Sequence, residues 1–184
     1  MRTVVRSAAL IAFSVACGYA KLILFPYLFF VELFSVAVFL SGALSGVAWG
    51  VWIGAVARLI FSVGNPYGPP HPLVLVAQVV GGGVIGAIGG LSGRRLFPRD
   101  RSEGPGPRAR TAILIGAGLA ATLAYDLVTN VAQGVVFGSI PVTLAVAALP
   151  TLQHVASNVA IFAVLGNVAI PWLSRHPAVT SRAV

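Results

Sequence analysis

From Tyr27 to Val63 the chain runs for 37 residues with only two charged side chains, Glu32 and Arg58. One helix of that length would measure about 55 Å at 1.5 Å per residue, whereas a bilayer's hydrocarbon core is about 30 Å thick and takes about 20 residues. The run must therefore fold back on itself. The small residues Ser41-Gly42-Ala43-Leu44-Ser45-Gly46 offer the only plausible tight turn, which predicts helices over 27–43 and 46–63.

The rest of the chain has the same character. Of 184 residues, 58% are hydrophobic and 9% charged, against roughly a quarter charged in a soluble domain. Further apolar runs predict helices over 7–24, 73–91, 111–137 and 142–173, the last too long for one straight crossing and expected to break near Pro150. The expected fold is an all-α integral membrane protein, a compact bundle of about six transmembrane helices forming a single domain over residues 1–174. The first run also resembles a signal peptide, and Ser14-Val15-Ala16-Cys17-Gly18 resembles a lipoprotein cleavage box with Ser where Leu is usual. A retained helix is the favoured reading, because everything downstream is also apolar. The lone Cys17 excludes an intramolecular disulfide and gives no zinc-site spacing.

Two loops break the apolar pattern. Gly64 to Pro72 holds four prolines and two glycines and cannot continue a helix. Residues 93–110 hold Arg94, Arg95, Arg99, Asp100, Arg101, Glu103, Arg108 and Arg110, with six of the chain's twelve basic residues. Positive charge stays on the cytoplasmic side, so this loop, the N-terminus with Arg2 and Arg6, and the 175–184 tail with Arg175 and Arg182 are all expected inside. The net charge of +8 is thus an orientation signal rather than a sign of nucleic-acid binding. The proline-rich loop is then extracellular.

Ionisable groups inside hydrocarbon are costly and usually face the bundle interior with a partner or a function. Glu32, Arg58 and Asp126 are of this kind. Glu32 and Arg58 fall at similar depth on adjacent antiparallel helices and could form an ion pair locking helices 2 and 3, or one or both could contact a ligand, Arg58 by meeting a carboxylate or phosphate bidentately. Thr122, Asp126, Thr129 and Gln133 stack on one face of helix 5, with Asn130 beside them. Helix 6 adds His154, Ser157 and Asn158, and helix 4 adds Gln78. Any single amide among these could simply bond helix to helix. Together they supply more polarity than such bonding requires, and an outward-opening polar cavity is the better account of the set.

Small residues form two stripes. Ala8, Ala12, Ala16 and Ala20 repeat every fourth residue on helix 1, and Gly82, Gly86 and Gly90 do so on helix 4; each stripe is either an internal packing seam or, for helix 1, a docking face for another membrane protein. Gly116-Ala117-Gly118-Leu119-Ala120-Ala121 matches a dinucleotide fingerprint by letters only, with no strand before it. The chain has no GxxxxGK[ST] loop, no HExxH and no array of arginines as in a voltage sensor. Uphill transport would draw its energy from a partner or an ion gradient, and neither cofactor nor metal is expected.

The six-helix plan with both ends inside, the alanine stripe, the loop Asn65-Pro66-Tyr67-Gly68-Pro69-Pro70, the run Tyr125-Asp126-Leu127-Val128-Thr129-Asn130 and the His154 to Asn158 segment resemble the substrate-binding S components of energy-coupling factor (ECF) transporters. The likeness spans about Ser7 to Leu173. It implies a multi-pass protein of a prokaryotic plasma membrane that captures a vitamin or related micronutrient from outside, without covalent chemistry of its own. The partners implied are a transmembrane coupling (T) component, docked on the Ala8, Ala12, Ala16 and Ala20 face, and two ABC ATPases. Carried over onto this chain, Tyr67, Gln78, Asp126, Asn130, His154 and Asn158 are candidates for the ligand cavity; Glu32 and Arg58 join them on the burial argument alone. The main rival is a small proton- or ion-coupled secondary transporter using Asp126 and His154 as titrating groups, although no inverted repeat relates the two halves. A membrane hydrolase built on Ser157 beside His154, or a non-transporting scaffold, is the other alternative.

Overall fold

A computed structural model describes residues 2–24, 32–98 and 104–176. They form six helices: α1 (Arg2–Leu24), α2 (Leu33–Ser45), α3 (Val47–Val63), α4 (Pro72–Leu96), α5 (Pro107–Val136) and α6 (Ile140–Arg175), with no strand among the described residues. Four of them, α1, α4, α5 and α6, are long and apolar enough to cross a membrane, while α2 and α3 are shorter apolar helices. The chain is a helical membrane protein.

The fold-back between α2 and α3 is narrower than the sequence suggests. It rests on one residue, Gly46, at φ +85°, a backbone region that side chains with a Cβ rarely adopt. The Gly46 N–H still donates to the Gly42 carbonyl at 2.8 Å, and Gly46 itself accepts from the Gly50 N–H at 2.8 Å, so both helices keep their end bonds. Ser41, expected in the turn, lies inside α2 and donates to the Ala37 carbonyl at 2.7 Å. At the other end, the predicted start of helix 2 at Tyr27 lies outside the described residues.

Close backbone approach sets the packing of α2, α3 and α4. A Cβ built on Gly86 of α4 would land on the Gly50 carbonyl of α3, and one on Gly42 of α2 would land on the Gly86 carbonyl. Gly54 and Gly82 oppose each other one turn away, and Gly89, Gly90 and Gly93 continue the seam against Phe39, Val47 and Ala43. The helix 4 glycines are thus an internal seam, where dispersion between backbones replaces a hydrophobic drive that lipid does not supply. The core then fills with Phe34, Val38, Phe39, Ile85, Leu114, Phe162 and Ile170, with Phe39 and Phe162 at a ring-centroid distance of 5.1 Å.

Helix α1 packs on α2 and α3 through Ser7, Ser14 and Gly18, the last against Phe61 and Phe34. The alanine stripe points the other way: Ala8, Ala12 and Ala16 are exposed and Ala20 is half-buried. An internal seam is therefore the wrong reading for this stripe. Rotation about the helix axis, which a spacing of four leaves undetermined, decides the matter.

Helix α6 corrects the expected break at Pro150. It runs unbroken from Ile140 to Arg175 through both Pro150 and Pro171. In an apolar setting the remaining backbone groups have no partner other than the helix, so a single lost donor does not end it. Its start is fixed at Ser139, whose side chain accepts from the Val142 N–H at 3.4 Å, with Pro141 in the first turn. The basic loop is also shorter than 93–110, because α4 carries Arg94 and Arg95 in its last turn and α5 carries Arg108 and Arg110 in its first. Arg99, Asp100, Arg101 and Glu103 lie outside the described residues, as does Arg182.

Successive helices alternate in direction, so one end of the bundle gathers the start of α1, the α2–α3 turn, the end of α4, the start of α5 and the end of α6. Cross-links confirm this grouping: Arg6 Nη2 donates to the Leu44 carbonyl at 3.1 Å, and Arg110 Nε to Asn167 Oδ1 at 2.7 Å. Trp49, Trp52 and Trp172, all exposed, lie toward this same arginine-bearing end.

Candidate functional site

Toward the other end, three helices and the residue that leads into a fourth contribute one ionisable side chain each to a single cluster. Glu32 is the residue that precedes α2, with non-helical backbone (φ −115°, ψ 87°), and its carboxylate accepts from the Ser35 hydroxyl three residues on. Arg58 of α3 holds Nη2 3.5 Å from Glu32 Oε2. Asp126 of α5 takes His154 of α6 at 2.9 and 3.1 Å through Nδ1. The opposite ring nitrogen, Nε2, lies 3.8 Å from Glu32 Oε2 and 3.0 Å from Asn158 Nδ2. Asn158 is fully buried and also donates to Thr122 Oγ1 at 3.1 Å.

The chemistry of His154 follows from its partners. A carboxylate only accepts, so Nδ1 carries the proton toward Asp126. With Nε2 bare, the ring accepts from the Asn158 amide; with both nitrogens protonated, it faces the Glu32 carboxylate as a cation. In the second state the two acids and two bases balance, which is the least costly condition for four charges in a low-dielectric interior.

Arg58 is held differently. Its side chain is 4% exposed, and its guanidinium carbon sits 4.3 Å from the Phe34 ring centroid, 4.5 Å from that of Tyr125 and 5.9 Å from that of Phe61. Such ring faces attract a desolvated cation. Yet Arg58 Nε and Nη2, together with Asn158 Oδ1, make no hydrogen bond among the described residues.

No family model, curated protein or solved structure matches the chain. The site is therefore read from its own geometry.

The structure brings together Glu32, Arg58, Asp126, His154 and Asn158, and leaves three other predicted residues outside. Tyr67 is 80% exposed in the loop after α3, where its backbone N–H bonds Asn65 Oδ1 at 3.0 Å. Gln78 is half-buried on α4 and takes no part in the described network. Asn130 turns to Thr151 of α6 at 3.4 Å, a helix-to-helix bond. Thr129, part of the helix 5 stripe, spends its hydroxyl on the Tyr125 and Asp126 carbonyls, and Ser157 donates to the His154 carbonyl at 3.1 Å. Among the described residues no group of three or more His, Cys, Asp or Glu is arranged to hold a metal ion. Sequence reasoning missed the aromatic clamp. Phe61, three residues after Arg58, could have been found from its spacing, whereas Phe34 and Tyr125 reach the guanidinium from other helices and carry no such signal.

Proposed function

We propose that this chain is the substrate-capturing S component of an ECF-type importer: a six-crossing protein of a prokaryotic plasma membrane with both termini cytoplasmic, which binds a vitamin-like micronutrient from outside and hands it inward with a T component and two ABC ATPases. The observation that carries this reading is the convergence of Glu32, at the entry to α2, with Arg58, Asp126 and His154 from three further helices on one largely buried cluster, away from the arginine-bearing end. Helix-to-helix bonding does not call for so many charges, each of which is expensive in a membrane. The arginines gathered at the opposite end support a cytoplasmic assignment for that end. The exposed Ala8, Ala12 and Ala16 face supports docking, since small residues let another helix approach closely.

Copurification tests the assignment. The tagged chain should bring with it a membrane coupling subunit and ATPases; transport by the chain alone in liposomes, driven only by a proton gradient, would replace this reading with a carrier. That second reading is favoured by one observation, His154 lying between two carboxylates. The docking face has its own test. Ala12→Trp should leave the melting temperature of the isolated protein unchanged, because the position is exposed, and abolish assembly with the coupling subunit; normal assembly would remove the face from the proposal.

A further inference from the structure

Arg58 offers more hydrogen bonds than its described surroundings take up. Rings lie close to the guanidinium at 4.3 and 4.5 Å, so the bonding left to the group lies in its own plane, along its edges. Nε and Nη2 share one edge and point their N–H bonds in parallel, the fork that a carboxylate spans with its two oxygens. Both lack a partner among the described residues. Glu32 stands at ion-pair distance, 3.5 Å from Nη2, without closing either bond, and the same oxygen accepts from Ser35 and lies 3.8 Å from His154. A pair serving only to lock α2 to α3 would be expected to close the fork, because a buried donor left unmet costs about 1–3 kcal/mol and more when charged.

We propose that the Nε–Nη2 edge of Arg58 anchors the carboxylate of the captured molecule, so that the substrate class is small organic acids. This rests on the capture reading above. Charge narrows the class. Glu32 from the entry to α2, Asp126 from α5, Arg58 from α3 and His154 from α6 balance when His154 is protonated, so an incoming monocarboxylate adds a single negative charge, whereas a phosphate dianion adds two beside two existing acids. The site accepts the first and rejects the second. An N–H group elsewhere on the same molecule would give Glu32 a donor in place of Arg58.

Native mass spectrometry of the full chain in lipid nanodiscs provides the test, with the water-soluble small-molecule extract of cells as probe. Three portions are compared: untreated, treated with phosphatase, and treated with carbodiimide and methylamine to convert carboxylates to neutral amides. An adduct retained from the untreated and phosphatase-treated portions and lost from the amidated one is expected. Retention from all three, or loss after phosphatase, overturns carboxylate recognition and leaves capture standing. No adduct from any portion overturns capture itself. Arg58→Lys keeps the charge and removes the fork, and should weaken retention about tenfold or more; wild-type retention in this variant also overturns the anchor. Should that variant fail to fold, the three portions decide the question on the unmodified protein.

Discussion

One helical turn of α3 separates two regions built on opposite physics. At Gly50 and Gly54 the chain meets α4 backbone to backbone, with no side chain between, whereas at Arg58, on the same face, it buries one of the largest and most polar side chains available. The two are continuous: a Cβ on Gly82 would lie 2.6 Å from the Gly54 carbonyl and 2.7 Å from the Arg58 Cβ. The glycine seam explains itself, because each missing side chain allows a contact that a larger residue would prevent. The cluster does not explain itself in this way, since apolar residues of similar volume would hold the same helices at lower cost. Packing alone accounts for the first region, and a function is needed to account for the second.

The largest expected effect breaks the seam. In Gly86→Leu the new side chain collides with the Gly50 backbone, which cannot move without separating α3 from α4. Overpacking of rigid sites costs typically about 1–3 kcal/mol and here should exceed that range, so size-exclusion chromatography should show aggregate in place of the monodisperse protein. Gly116→Leu is the control: nothing lies within 4 Å of a Cβ at that position, and the monodisperse peak should survive. If both variants behave alike, the seam is not what holds the bundle.

The cluster should respond to charge where the seam responds to volume. Arg58→Met takes from the half-buried Glu32 its arginine partner and should cost up to about 3 kcal/mol, while the double variant Arg58→Met with Glu32→Met should recover most of that loss. Thermal melts of the four proteins in nanodiscs give the coupling. A double variant as unstable as Arg58→Met would mean that the arginine is held by Phe34 and Tyr125 rather than by its charge partner, and would turn the cluster into a second packing site.

What could be read from the sequence follows from the same contrast. The fold-back of the 27–63 run was legible because bilayer thickness is a hard limit, and the Gly82, Gly86 and Gly90 seam was visible as spacing. Spacing says which residues share a helix face, but not where that face points. The Ala8 to Ala16 stripe therefore stayed ambiguous until the rotation of α1 was known, and Gln78 was grouped with residues that it does not join. Depth was easier to judge than orientation: Glu32, Arg58, Asp126 and His154 fall at compatible heights, and the fold brings them together. Pro150 misled because proline rules come from water, where a freed carbonyl has an alternative partner. The clamp of Phe34 and Tyr125 on Arg58 is a contact between helices distant in sequence, and no local pattern encodes it.

The smallest effect separates site from scaffold inside the cluster itself. Asn158 is fully buried, its amide nitrogen bridges Thr122 and His154, and its oxygen has no hydrogen-bond partner among the described residues. Asn158→Leu keeps the branched shape, removes the unmet oxygen and loses the bond to Thr122 across the helices together with the contact to His154 one turn back on α6. Interhelical bonds in membranes average about 0.6 kcal/mol, so the losses and the relieved acceptor nearly cancel, and stability should change by less than about 1 kcal/mol. Small-molecule retention should nonetheless fall, because His154 loses the amide that faces Nε2 and its ring can turn toward Glu32. A variant that melts like the wild type and retains small molecules equally well would place Asn158 with the scaffold, and the boundary between the two regions would then run within α6, between His154 and Asn158.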